Sequence, residues 1–218
     1  MNETKSKLSI AVIFGGVSSE HEVSRMSATS ILENLSPDKY GVHMVGITKE
    51  GKWLLYTGEV KDIVTGAWEQ GPVTPAFLSP DPSVHGLVLL REGKGEILPL
   101  DVIFPALHGK NGEDGTIQGV FELAGVPVIG CGTLASALCM DKDRAHKLAA
   151  LAGVAVPQSA VFSRGAAMGD IRAAARQLAY PLFVKPVRAG SSFGVSRVEC
   201  EEDLAAAVQA AFCHDSEI

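Results

Sequence analysis

The run Leu8 to Phe14 is apolar at almost every position and stops abruptly at Gly15-Gly16-Val17-Ser18-Ser19. A strand without polar alternation is buried on both faces, so the fold must supply a layer above it and a layer below it. The residues that follow set Val23, Ala28, Ile31, Leu32 and Leu35 on one face of a helix. Strand, glycine turn and helix in that order open an α/β fold, and the helix N-terminus turns its free N–H groups toward the turn. Ser19 and Glu22 have the spacing of a capping box, which predicts the helix start there, and Pro37 follows its end.

The same arrangement recurs. Asp101 to Leu107 reads as a buried strand running into His108-Gly109-Lys110-Asn111-Gly112-Glu113-Asp114-Gly115, ahead of a helix from Thr116 to Leu123. Ligands of open α/β sheets bind beyond the carboxyl ends of strands, where both polar, glycine-rich turns stand. Between them, Val42 to Thr48 and Lys52 to Tyr56 predict a strand with an added hairpin, since Glu50-Gly51 turns the chain. Residues 58 to 83 read as a variable excursion with little chemistry. Leu87 to Leu90 and Glu96 to Leu98 form a second hairpin turning at Gly93 to Gly95.

The pattern then changes. Helices are expected at Thr133 to Cys139 and at Asp141 to Ala152, the latter stopped by Gly153. A strand Ala160 to Phe162, a helix Met168 to Leu178, strands Pro181 to Lys185 and Gly194 to Val198, and a helix Glu201 to Phe212 follow. The boundary falls near Met140, giving domains 1–140 and 141–218.

Lysine and arginine number 19 against 25 acidic residues, a net charge of −6, which supplies no cationic field for a nucleic-acid backbone or an anionic membrane. The apolar stretches Ile10 to Phe14 and Val102 to Leu107 fall far short of the roughly 20 residues of a membrane helix. The start Met1 to Lys7 lacks the apolar core of a leader, so the chain is expected in the cytoplasm. The four cysteines at 131, 139, 200 and 213 form no C-x-x-C pair and read as buried free thiols.

Lys185 ends an apolar strand and stands before Pro186, Arg188 and the turn Ala189-Gly190-Ser191-Ser192-Phe193-Gly194. A lysine beside a turn rich in backbone N–H groups and hydroxyls suits a polyphosphate. Neither G-x-x-x-x-G-K-[ST] nor G-x-G-x-x-G occurs at these turns, and a solvated lysine beside a hairpin turn is the competing reading.

Taken in order, Ile10 to Ser24 (IAVIFGGVSSEHEVS), Leu107 to Gly119 (LHGKNGEDGTIQG), Met140-Asp141-Lys142 and Val184 to Gly194 (VKPVRAGSSFG) resemble the D-alanine:D-alanine ligases over nearly the whole chain. The resemblance implies an α/β fold: a Rossmann-like, pre-ATP-grasp N-terminal domain, then the small lid subdomain of an ATP-grasp fold, truncated before the C-terminal domain. It assigns Glu20 to the ammonium of the first D-alanine, with Ser191 fixing the same site, His108 beside that substrate and Glu113 bracing the arrangement. Lys142 and Lys185 would meet the ATP phosphates, and Gly190, Ser191, Ser192 and Gly194 would form a mobile phosphate cover. The implied reaction joins two D-alanines through an acyl phosphate, using ATP and Mg2+, for peptidoglycan precursors. A homodimer is expected.

The family's next strand would begin near Ile218, so the resemblance places its magnesium ligands, adenine contacts and oxyanion hole beyond this chain, either in a longer parent or lost from a truncated gene product. No metal ligand is named among these residues. The insertion around Gly51 to Glu96, and Phe193 in the Ser-Ser-Phe-Gly turn, are similar to vancomycin-resistance ligases, including D-alanine:D-serine types. A fragment that only binds substrate or dimerises is the reading from a different class.

Overall fold

A computed structural model describes residues 7–218. Residues 1–6, part of the stretch read above as lacking a leader core, lie outside the described residues. The chain divides into two compact units, Met1–Ser136 and Ala137–Ile218.

The first unit is built on a seven-stranded sheet of order β6-β5-β4-β3-β2-β1-β7. Strand β1 (Leu8–Gly15) lies between β2 (Tyr40–Ile47) and β7 (Val102–Pro105), parallel to both. Flanked on both edges and covered on both faces, its residues Ala11 to Phe14 are wholly inaccessible to solvent, as the unalternating apolar run requires. Beyond β2 the sheet turns antiparallel through β3 (Trp53–Tyr56), β4 (Val73–Leu78), β5 (Gly86–Arg91) and β6 (Lys94–Pro99). The sheet is therefore mixed, with a parallel part at the end that carries the glycine turns.

Helix α1 (His21–Asn34) covers one face and buries only His21, Ser24 and Ala28. The expected capping box does not form: the Glu20 N–H donates to Ser18 Oγ at 3.1 Å, and Glu22 pairs with Lys49 at 2.5 Å. The helix starts one residue later than that box requires, with Glu20 rather than Ser19 at the N-cap. Helix α3 (Thr116–Ala124) matches expectation, ending at Gly125 in the left-handed region.

Residues 58 to 83 are more than an excursion. They hold a short helix α2 (Lys61–Thr65), a 3-10 turn Ala67–Gln70 and strand β4. Trp68 is fully buried, with Phe14 edge-on at 5.0 Å and Tyr56 at 6.3 Å between ring centroids. Gly46 makes room for it, since a Cβ there would stand 2.3 Å from the indole. The β5–β6 turn centres on Glu92-Gly93, both with positive φ, one residue earlier than expected.

The second unit holds a two-stranded sheet, β8 (Leu182–Val184) with β9 (Ser196–Val198), antiparallel. Helices α6 (Met168–Leu178) and α7 (Glu201–Phe212) pack Ile171, Ala175, Leu204, Val208 and Ala211 against it. Helix α5 (Lys142–Leu151) is capped by Asp141, whose carboxylate accepts from the Arg144 N–H. Helix α4 (Thr133–Met140) precedes it. The expected strand Ala160 to Phe162 is reduced to reciprocal backbone bonds between Phe162 and Ile218, each 3.0 Å, and one bridge from Ser163 to Glu217.

All four cysteines are free and exposed, contrary to the buried reading. Each stands at or next to a helix end, where the chain is solvated: Cys131 before α4, Cys139 in its last turn, and Cys200 and Cys213 at the two caps of α7. Among the described residues no helix is long and apolar enough to cross a membrane.

Candidate functional site

In the first unit, the site begins at the carboxyl ends of β1 and β7. Ser24, wholly buried in the first turns of α1, accepts from the Gly15 N–H at 2.8 Å and donates to the Ala106 carbonyl at 2.5 Å. One hydroxyl thus ties both strand ends to the helix. The His21 ring nitrogen Nδ1 adds a 2.9 Å bond to the Gly16 carbonyl. Sequence reading quoted Ser24 without giving it a role; a serine one helical turn before the inward Ala28, directly after the glycine turn, is the signal that could have found it.

Glu20 is the N-cap residue of α1 and is 5% exposed. Its carboxylate accepts no hydrogen bond from any described residue. His108 and Glu113 converge on it: one ligand atom from each of the three residues lies within 4.8 Å of the others. His108 Nδ1 stands 3.7 Å from Glu113 Oε1, while Nε2 is bonded to Ser27 Oγ at 2.9 Å. Glu113 Oε2 accepts from the Gly109 N–H at 2.8 Å. Ser27 is a site residue that sequence reading missed.

The loop 108–115 is stiffened by its own polar groups. Asp114 accepts from the Asn111 and Thr116 N–H groups, and Gln118 accepts from the Gly115 N–H while donating to the Gly112 carbonyl. Gly109 has φ +67°, and a Cβ there would stand 3.0 Å from Glu20 Oε1 and 2.9 Å from Ser18 Oγ. Glycine at this position sets how closely the loop approaches the Glu20 carboxylate.

The second unit carries the basic residues. Lys142 Nζ donates to the carbonyls of Ala189 at 2.7 Å and Val187 at 3.2 Å. Partial burial pushes its pKa down, and the charge of Lys185 pushes it further, against the pull of Asp215 and Asp141. The two ammonium groups lie close enough for one to disfavour the charge of the other. Lys185 is exposed, with Nζ 5.5 Å from the Phe183 ring centroid. Both lysines line a cavity of about 590 Å³ whose walls are otherwise largely apolar, Phe162, Ile171, Leu182 and Val208 among them.

The turn after Lys185 is pinned at its base. The Arg188 backbone N–H and guanidinium both bond Asp215, at 2.7 and 2.8 Å, and Glu217 adds a 3.0 Å contact. Burial alone would raise the Asp215 pKa; bonds from Arg188 and from backbone N–H groups outweigh it and hold the carboxyl below its usual value. Above that base, Ser191 and Ser192 both have positive φ, +43° and +60°, and both are exposed. The turn closes through Phe193 N–H to the Gly190 carbonyl at 3.1 Å, with Gly194 at φ +68°. Asp215 is the second residue that sequence reading passed over, since its partner lies far away in the chain.

Helices around a mixed central sheet, with an acidic corner at the parallel strand ends, define the first unit as an α/β fold. The D-ala D-ala ligase N-terminus family matches residues 9–131, and the D-ala D-ala ligase C-terminus family matches residues 148–218. The chain is 47% identical to a D-alanine--D-alanine ligase of Caldicellulosiruptor bescii, covering 98% of this chain and 59% of that protein. It is 46% identical to the vancomycin B-type resistance protein VanB of Enterococcus faecalis, with 98% and 59% covered. Among solved structures, the VanG D-Ala:D-Ser ligase of Enterococcus faecalis superposes with a TM-score of 0.87 at 51% identity, covering 97% of this chain and 61% of that one. The chain belongs to the D-alanine–D-alanine ligase family. It spans less than two thirds of the length of these relatives.

Proposed function

We propose that the protein carrying this chain joins D-alanine to a second D-alanine at the expense of ATP, as a cytoplasmic, homodimeric enzyme of peptidoglycan precursor synthesis. The observation that carries this reading is Glu20: a buried carboxylate without a protein donor calls for a cationic ligand, and an amino-acid ammonium is one. Chain segments 1–140 and 141–218 act as the amino-acid-binding domain and the nucleotide lid.

In this reading a carboxylate oxygen of the first D-alanine attacks the γ-phosphorus of ATP. The bond to the β,γ-bridging oxygen breaks, and its electron pair leaves on ADP. The amine of the second D-alanine then attacks the acyl carbon, the C–N bond forms as the C–O bond to phosphate breaks, and the amine releases a proton. Glu20 holds the first ammonium, His108 lies beside that substrate, Glu113 braces the loop, and Ser191 assists at the same substrate. Lys142 and Lys185 balance the phosphate charge as it redistributes, and Gly190, Ser191, Ser192 and Gly194 cover the phosphates.

Magnesium favours all-oxygen, octahedral surroundings. Among the described residues the convergent ligand group is Glu20, His108 and Glu113, which includes a nitrogen donor, and none forms around the two lysines. These residues do not fit magnesium at the phosphates. A D-serine acceptor is the second reading, favoured by the 51% identity to the VanG D-Ala:D-Ser ligase.

Coupled ADP release tests the proposal on a protein extended past Ile218, with D-alanine alone and with added D-serine. Turnover with D-alanine is expected from the extended protein and not from the 218 residues alone. Glu20→Gln is expected to weaken D-alanine by one to a few orders of magnitude while sparing ATP. An extended protein that releases no ADP with either acid, or a Glu20→Gln variant with unchanged D-alanine kinetics, overturns it.

A further inference from the structure

The antiparallel end of the large sheet is open at its outer edge. Strand β6 stands last in the strand order, and the turn Glu92-Gly93 closes its hairpin on Arg91 and Lys94. In a hairpin of this turn length the flanking pair exchanges both backbone bonds, and the pattern then alternates along the strand. Lys94, Glu96 and Leu98 therefore bond to β5, while Gly95, Ile97 and Pro99 point their backbone groups outward. Pro99 has no N–H, and its carbonyl accepts from Ser9 Oγ at 2.7 Å. Among the described residues nothing bonds the outward N–H and carbonyl groups of Gly95 and Ile97. The sheet face at this edge is apolar as well. Phe77, Val88 and Ile97 stand in line across β4, β5 and β6, on the side away from the core residues Ala76 and Leu87. Phe77 is 43% exposed, Ile97 54%, and the nearby Leu90 49%. A free edge beside an uncovered apolar row is a surface for another strand.

We propose that β6 pairs antiparallel with β6 of a second copy of this chain, across a two-fold axis at Glu96. With Gly95 of each copy opposite Ile97 of the other, every outward N–H and carbonyl of these residues meets its complement. Moving the axis one residue either way sets Ile97 against Gly93 in the turn, or Gly95 against Pro99, which has no N–H to give. Glycine at 95 leaves room for the Ile97 side chain of the second copy beside Val88 and Leu90, so the two apolar rows become one. On the other face the two Glu96 carboxylates meet at the axis. Each is flanked by its own Arg91, 3.3 Å away, and on the diagonal by Lys94 of the second copy. The cations offset the repulsion between the carboxylates, and this charge match favours a copy of the same chain over an arbitrary strand. The pairing deepens the homodimer of the ligase reading, on which it rests, by giving that dimer a face.

The test is sedimentation of the 218-residue chain at micromolar concentrations, without D-alanine or ATP, so that it does not depend on ligase activity. The chain is expected at twice its mass. Ile97→Pro removes an outward N–H while keeping the bonds to β5, and this variant, shown folded by circular dichroism, is expected at the mass of one chain. A cross-link gives an independent measurement. With all four cysteines replaced by serine, Glu96→Cys should join two chains on mild oxidation, since residues directly opposite in a pair without mutual backbone bonds have Cα atoms about 4.5 Å apart. Lys94→Cys, which would face Leu98 of the second copy rather than itself, should not. A chain that stays monomeric, a dimer that Ile97→Pro leaves intact, or equal cross-linking at positions 94 and 96 overturns the face. A dimer that survives Ile97→Pro leaves the homodimer of the ligase reading standing on another surface, so the two failures are distinguishable.

Discussion

The acidic corner and the lysine turn are both polar, glycine-bearing loops at strand ends, yet they are supported very differently. The corner rests on the parallel strands of a seven-stranded sheet, and its loop is cross-tied by Ser24, Asp114 and Gln118. The lysine turn springs from a sheet of two three-residue strands and is tied at its base, by Arg188 to Asp215 and by Lys142 to the Ala189 carbonyl. Glycine stands at the close approaches of both, Gly109 against Ser18 and Glu20 and Gly194 against His214; the exposed part of the lysine turn carries serine at positive φ at 191 and 192. The corner carries many internal hydrogen bonds, whereas the lysine turn keeps its positive-φ serines at the surface.

The largest expected effect removes the support of the first region. Trp68→Ala should destabilise the chain by about 3–5 kcal/mol, read from urea denaturation, because a fully buried indole leaves a cavity between Phe14 and Tyr56. The contrast between the two receptors sharpens next. Lys142→Ala should weaken ATP by about one to three orders of magnitude in calorimetry on the extended protein and leave D-alanine unchanged, the reverse of Glu20→Gln. Loss of both ligands in either variant would break the comparison.

Ser24→Ala should cost about 1–3 kcal/mol, since it leaves a buried N–H and a buried carbonyl unsatisfied at once. Ser192→Gly should move stability by less than about 1 kcal/mol, as relief at positive φ is offset by the freer unfolded chain. The smallest effect is a pH dependence. Burial lowers the pKa of His43, whose Nε2 lies 3.1 Å from Ser9 Oγ, so the unfolded chain binds the proton more readily. That contribution is present above the unfolded pKa of about 6.5 and fades as pH falls through the folded value. His43→Gln should flatten the acid limb of a stability–pH curve, and an unchanged limb would remove His43 as its cause.

How much of this was legible followed the range of the interactions. Strand β1 and helices α3, α6 and α7 announce themselves because periodicity and caps are local. Strand β4 does not: Pro75 interrupts it, and β3 and β5 on either side are what make it a strand. The Ala160 to Phe162 segment shows the converse: its backbone pairs, among the described residues, with the stretch ending at Ile218 and joins no longer strand. Motif resemblance singled out Glu20, His108 and Glu113, which the fold brings together. It could not supply Ser24, Ser27 or Asp215, whose roles arise from contacts between residues distant in sequence.

The seat of Trp68 has a consequence for how such a chain can change over generations. Gly46 has no room for any side chain while the indole is in place, and the indole has no seat if position 46 is filled. The two positions are therefore ordered in mutational time: a smaller residue must appear at 68 before anything larger than glycine survives at 46. Steric exclusion makes the path away from this pair run through a chain that has first lost the packing of its indole.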